Sequence, residues 1–211
     1  MPISCESRVR RFYVRSVNRA ISILALSAAC ALHAAPFYDK VLSNDFSPHT
    51  DILVQHYFER GGTDQIWLVS TADPSKRRLL FTHQRHAEVV FSPDQKWLVI
   101  NNHCLSNKSR LLLYHQKAPL DYEQVADLTD AAWQFFDEQH GRTKPTNFDH
   151  SYIEALRWAD DEPPTLLLYL DGHGDSRNHT SDWYCLYDVQ AKTFSVDFVA
   201  HNKKATKLEP E

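Results

Sequence analysis

The densest run of chemically able side chains in this sequence is Asp171-Gly172-His173-Gly174-Asp175-Ser176-Arg177-Asn178-His179-Thr180-Ser181-Asp182, with three carboxylates and two imidazoles in 12 residues. Carboxylates and imidazoles together suit zinc, and carboxylates alone suit a harder cation, so Asp171, His173, Asp175 and His179 are the candidate metal ligands. No established ligand spacing is matched. Asp, Gly, Asn and Ser are also the residues any exposed loop uses to turn. As a binding surface the same stretch offers His173, Asp175, His179 and Asp182, extended by Trp183. With Tyr184, Trp183 can stack on a sugar ring or simply fill a core.

Other catalytic signatures are missing. The chain has no Gly-x-Ser-x-Gly elbow, no His-Glu-x-x-His, no Cys-x-x-Cys and no phosphate-binding glycine loop, and it holds only 5 glycines. Asp149-His150-Ser151 has the residue types of a nucleophilic triad, but neighbours on an extended segment point in different directions. No cofactor is expected beyond a divalent metal. Of the 12 histidines only His33 lies in the first 35 residues, and His83, His86 and His115 fall at predicted strand ends as half-buried polar residues. Cys104 and Cys185 are the candidate disulfide pair. A bridge would close a loop of about 80 residues, worth about 4 kcal/mol in the chain-entropy model; the alternative is two buried thiols.

The elements that position these residues recur. Phe46-Ser47-Pro48 returns 45 residues later as Phe91-Ser92-Pro93; Ile52-Leu53-Val54 then matches Trp97-Leu98-Val99, and Ile66-Trp67-Leu68-Val69 matches Leu111-Leu112-Leu113-Tyr114. A looser third copy begins near Trp158 and continues through Leu166-Leu167-Leu168 and Trp183-Tyr184-Cys185. Each copy reads as a turn, an apolar strand, a polar loop and a second apolar strand. Runs such as Leu111-Leu112-Leu113, without alternation, predict strands covered on both faces.

Phe91-Ser92-Pro93-Asp94-Gln95-Lys96-Trp97-Leu98-Val99 resembles the TolB and WD-type propeller signature, in which a Phe-Ser-Pro-Asp-Gly-Lys turn leads into a hydrophobic strand. Gln95 stands where that family has glycine, and His49 stands where the first copy should have aspartate. The resemblance implies an all-β fold: a propeller-like array of about three antiparallel β-meander blades, at about 46–90, 91–157 and 158–199. Closed propellers typically need four to eight blades. Three would leave sheet faces and edges open, which predicts a homodimer, a protein partner or collapse into a sandwich-like variant. Equivalent loops at 59–63, 104–108 and 171–181 should emerge on one face.

A helical insertion is predicted within 127–151, capped by Asp127 or Thr129 and ended by Gly141, with Trp133, Phe136 and His140 on one side. It covers an exposed sheet face or serves as a ligand lid. Residues 201–211, with three lysines and Pro210, read as a disordered tail after a single domain over 36–200.

Residues 1–35 have the order of an export signal: Arg8, Arg10, Arg11, Arg15 and Arg19, an apolar run at 20–31, then small residues. Lipidation at Cys30 is a minor alternative. The apolar run is too short to cross a bilayer as a helix. Five of the 23 basic and one of the 27 acidic residues fall in this segment, leaving 18 against 26 and a formal charge of −8. Such a surface disfavours nucleic acid. The expectation is an exported protein, periplasmic or extracellular, that acts as a non-catalytic binding module for a protein or glycan of the cell envelope. The competing expectation is a metal-dependent hydrolase using residues 171–182.

Overall fold

The computed structural model describes residues 38–59, 62–159, 164–174 and 177–209. The leader at 1–35, Cys30 and the turn residues 160–161 of the third copy lie outside them. Among the described residues the chain is mostly β, arranged as three antiparallel sheets with no closed barrel. The first is a meander of β1 (Tyr38–Phe46), β2 (Ile52–Glu59), β3 (Asp64–Ser70) and β4 (Arg77–His83). The second is β5 (His86–Phe91), β6 (Trp97–His103), β7 (Arg110–Ala118) and β8 (Asp121–Asp127). The third runs β9 (His150–Trp158), β10 (Thr165–His173), β11 (His179–Asp188) and β12 (Thr193–Ser195), with β13 (Thr206–Lys207) pairing β11. Each sheet therefore starts one strand before the boundary that the sequence repeat suggests, because the Phe-Ser-Pro motif joins two strands of one sheet and does not open it.

That motif is the same turn twice. The Ser47 and Ser92 amides donate to the carbonyls of Ile52 and Trp97, both at 2.9 Å, and their hydroxyl oxygens accept from the Ile52 and Trp97 amides at 3.2 and 3.0 Å. Thr50 and Gln95 occupy equivalent positions with φ of 61° and 58°. This is the left-handed region that glycine enters without steric cost, which is why the resembling family carries glycine there. Gln95 is held in it by a buried 2.6 Å hydrogen bond from the Tyr122 hydroxyl to its carbonyl.

The apolar runs divide between two cores, as expected of a sheet covered on both faces. Leu112, Leu98 and Ile100 join Ile52, Val54, Ile66 and Leu68 of the first sheet, while Leu111, Leu113 and Val99 join Ile153, Leu166, Leu168, Leu170 and Trp183 of the third. The second sheet is thus the middle layer. Helix α1 (Thr129–Gln139) belongs to the second of these cores through Ala132 and Phe136. The Phe136 ring meets that of Trp183 at 5.2 Å, and His140 lies on Phe136 at 4.4 Å, so the helix covers a sheet face. Asp127 caps it from just outside, accepting from the Thr129 amide at 3.1 Å. Gly141, at φ 67°, ends it in a Schellman arrangement: the Arg142 amide donates to the Asp137 carbonyl and the Gly141 amide to the Glu138 carbonyl.

The expectation of a disordered tail is corrected, and of the two cysteine alternatives the structure has the thiols. The segment after residue 198 is ordered through Glu209, because α2 (Val199–Ala205) and β13 close the outer edge of β11: the Asn202 side chain accepts from the Tyr184 amide at 3.0 Å and donates to the Tyr184 carbonyl at 2.7 Å. Cys104 and Cys185 are both free. Cys185 is fully buried in the middle of β11, while Cys104 follows β6 and points its thiol at the Lys108 carbonyl.

The third sheet is fastened to the second through side chains. Asn101 donates to the Ala155 carbonyl at 3.0 Å and accepts from its amide at 2.8 Å; two residues along, Ser109 does the same for Ile153 at 2.8 and 2.6 Å. Replacing Asn101 by leucine strands both polar groups of Ala155 away from water, at about 1–3 kcal/mol each. Asn101→Leu is accordingly expected to lower the unfolding free energy by about 2–6 kcal/mol, read as a lower urea midpoint. An unchanged midpoint would show that these bonds do not hold the sheets together.

Candidate functional site

All the hairpins that join the second and third strands of a sheet open at one end of the molecule, and the short β4–β5 link lies there too. The Lys108–Ser151 bridge brings the corresponding end of the third sheet beside them. Histidines gather at this end: His56 in β2, His83 and His86 flanking the β4–β5 link, His103 closing β6, His150 opening β9, and His173 and His179 at the facing ends of β10 and β11. These are seven of the chain's 12.

The segment read as a long polar loop is mostly strand. β10 and β11 run to His173 and His179, which are cross-strand partners. The glycines serve close approach. A Cβ at Gly172 would lie 2.9 Å from the Phe148 ring, and one at Gly174 would lie 2.8 Å from the Asn147 carbonyl. Three of the expected residues meet in a single chain of hydrogen bonds. Ser181 Oγ is 3.1 Å from His179 Nε2, His179 Nδ1 is 2.8 Å from His173 Nδ1, and His173 Nε2 is 2.5 Å from Asp171 Oδ1. The Tyr169 hydroxyl donates to the other Asp171 oxygen at 3.1 Å. Burial, reinforced by the Asp171 carboxylate, pushes the Tyr169 hydroxyl pKa well up, which keeps it a donor. With both rings neutral the protons have a consistent direction, from Ser181 through His179 and His173 to Asp171.

The remaining expected residues divide. Asp182 is exposed at φ 54° and lines a cavity of about 400 Å³ with His179, Ser181, His201, Lys204, Thr206 and Lys207. Trp183 is not on this surface: it is 1% exposed and packs in the core under α1. Asp175 lies outside the described residues. Among the described residues no three His, Cys, Asp or Glu side chains are arranged to hold a metal ion. The ring nitrogens of His173 and His179 that were candidates are spent on each other and on Asp171 and Ser181.

A second site was not expected from the sequence. Between the first sheet and β5 lies another cavity of about 400 Å³ whose lining includes His56, Asp64, His83, Arg85, His86 and Glu88. Asp64 and His83 are register partners of β3 and β4, so their side chains share one face. His83 is 8% exposed, yet neither ring nitrogen has a hydrogen-bond partner, and Asp64 Oδ1 is likewise buried and unpaired. His56 sits beside them with its ring 3.9 Å from Asp45. The one sequence signal was the pair His83 and His86 bracketing a two-residue link, which fixes both at the same end.

Burial holds the pKa of His83 and of His56 below the ordinary imidazole value, since desolvation disfavours the imidazolium. Asp64 pulls His83 the other way and Asp45 does so for His56, without overcoming it. The unfolded chain, with imidazoles near 6.5, binds more protons than the folded one just below that pH. Stability contributed by the neutral rings is complete above about pH 6.5 and is lost as pH falls toward the depressed folded values. The melting temperature is therefore expected to fall between pH 7 and pH 5, and to fall less in His83→Phe. Equal slopes in the two proteins would refute this assignment. No family model matches the chain and no curated protein matches it, so the likeness to propeller blades rests on the turn motif and its repeat.

Proposed function

We propose that this protein is an exported, non-catalytic binding module of the cell envelope, a propeller-like arc of three TolB-type blades that offers its histidine-rich end to a protein or glycan. One observation carries the reading. The cavity beside β5 keeps three polar atoms, His83 Nδ1, His83 Nε2 and Asp64 Oδ1, buried without partners. Each such atom costs about 1–3 kcal/mol. These atoms are closed off as the side chains stand; a ligand that displaces what covers them and supplies the missing partners recovers that energy on binding, and a cavity of this size suits a small molecule or the end of a chain. Phe46, Phe58 and Leu79 remain exposed on the first sheet, which supports self-association of the open arc as a homodimer.

The test needs no knowledge of the ligand. Replacing the unpaired groups by apolar ones of similar size, Asp64→Leu with His83→Phe, removes the penalty and should raise the melting temperature by about 5 °C. A lower melting temperature would mean that these groups hold the fold and await no ligand.

A second reading is favoured by the directional chain at the hairpin tip. Ser181, activated by His179 and relayed through His173 to Asp171, has the parts of a metal-free serine hydrolase. Lys204 and Lys207 on the adjoining cavity would favour an acyl substrate carrying negative charge. A fluorophosphonate probe should then label the protein, and Ser181→Ala should abolish labelling. No labelling of the unaltered chain would remove hydrolysis from the account.

A further inference from the structure

The three sheets stack in one sense. The first meets the second with Ile52, Val54, Ile66 and Leu68. Moved on by the 45-residue repeat these positions are Trp97, Val99, Leu111 and Leu113, the face that the second sheet turns to the third. The second sheet meets the first with its other face, Leu98, Ile100, Leu112 and Tyr114, and the third meets the second with Leu166, Leu168, Leu170, Trp183 and Cys185. Each joint sets the back of one sheet on the front of the next, which leaves over the front of the first sheet and the back of the third.

Both of these faces are built like the covered ones. Leu53, Gln55 and Trp67 are the repeat equivalents of Leu98, Ile100 and Leu112, which are at most 3% exposed; in the first sheet the same three are half-buried, and their cross-strand neighbours Phe46 and Leu79 are exposed. On the third sheet strand alternation turns Leu167, Tyr169, Tyr184 and Leu186 away from the core, all half-buried, with Leu167 paired to Leu186 and Tyr169 to Tyr184. The charges are complementary too. Arg77 lies over the Trp67 ring at 5.0 Å on the first face, and Asp188 ends β11 on the other, both at the end of the strands away from the histidines. A sheet of four strands about 4.8 Å apart and about seven residues long covers roughly 440 Å², so two joints, with four faces in all, bury on the order of 1,700 Å², the size of a standard stable interface.

We propose, resting on the open-arc reading above, that two copies of this chain join front to back, the first sheet of each seated on the third sheet of the other, so that six sheets close a ring. A second copy supplies both missing faces at once, and six falls within the four to eight blades that closed propellers typically hold. Head-to-tail joints end in a closed assembly when their rotation closes, and in a filament when it does not.

Native mass spectrometry and sedimentation of the full chain should give twice the mass of one chain. Leu53→Glu on the front face and Leu167→Glu on the back face should each be monomeric, because either change falls in both joints of the ring, while circular dichroism matches that of the unaltered chain. Mixing the two variants leaves one joint without a substitution, so the mixture should regain a dimer, weaker than that of the unaltered chain. The exposed Leu79→Glu and Leu156→Glu take the place of a variant that does not fold. A dimer lost in Leu53→Glu and kept in Leu167→Glu would mean that first sheet meets first sheet, and filaments would mean that the joints do not close; either result overturns the ring, as does a mixture without dimer. A monomeric unaltered chain would overturn it as well, and would leave recognition at the histidine-rich end to its separate test in the apolar double variant.

Discussion

Two buried asparagine amides determine how this chain finishes its sheets. A strand at a sheet edge presents alternate amides and carbonyls with no neighbour, and those groups must find partners or stay wet. The Asn101 side chain, one donor and one acceptor in a plane, matches the amide and carbonyl of Ala155, and Asn202 matches those of Tyr184 in the same way. Ser109 repeats the device at Ile153 with a hydroxyl that both accepts and donates. A side chain thus stands in for a strand at each place. The Trp158 indole adds a bond to the Val90 carbonyl at 3.1 Å, and Ser151 exchanges backbone bonds with Asn107 and Ser109.

This fastening explains how three sheets can persist without closing a ring. Packing of Leu111, Leu113 and Val99 against Ile153, Leu166 and Leu168 supplies most of the free energy, but apolar contact alone permits sliding. The polar pairs fix the register of β9 against the second sheet, because a shift of one residue would turn Ala155 and Ile153 away from their partners. Helix α1 then covers what the second sheet leaves open near Trp183, and α2 with β13 finishes the far edge. The hairpin tip with His173 and His179 is held from behind by Phe148 and Asn147, where only glycine allows the approach.

The repeat made much of this legible. Phe-Ser-Pro copies 45 residues apart marked two identical turns, and unalternated leucines marked a sheet buried on both faces. Gly141 marked a helix end. What stayed hidden depends on contacts between residues far apart in the chain. Nothing local in residues 199–207 distinguishes a lysine-rich tail from a short helix whose Asn202 meets a carbonyl 18 residues earlier. Polar residues at 171–182 read as a loop because turn-forming residue types and the edge of a solvated strand have the same composition; the strand was decided by pairing with β9, which residue type does not reveal. Trp183 looked available for a sugar because aromatic character carries no information about which face a strand buries. Likewise, Asp64 and His83 lie 19 positions apart, and only the β3–β4 register makes them neighbours.

The two sites at the histidine-rich end represent opposite solutions to the same problem. At the hairpin tip Tyr169, Asp171, His173, His179 and Ser181 form one line, each side chain hydrogen-bonded to the next. Such a line is stable as it stands and can pass a proton, but it has little hydrogen-bonding capacity left to offer a bound molecule. Beside β5 the same residue types are left unpaired under a cavity, where low dielectric magnifies what an unpaired group costs and what a paired one contributes. Folding alone would favour filling that space with apolar side chains, as the core around Ile66 and Leu68 has done a few residues away. On the function we propose, keeping Asp64 and His83 there trades stability for recognition, and that trade favours the cavity over the longer run of histidines and aspartates as the ligand site.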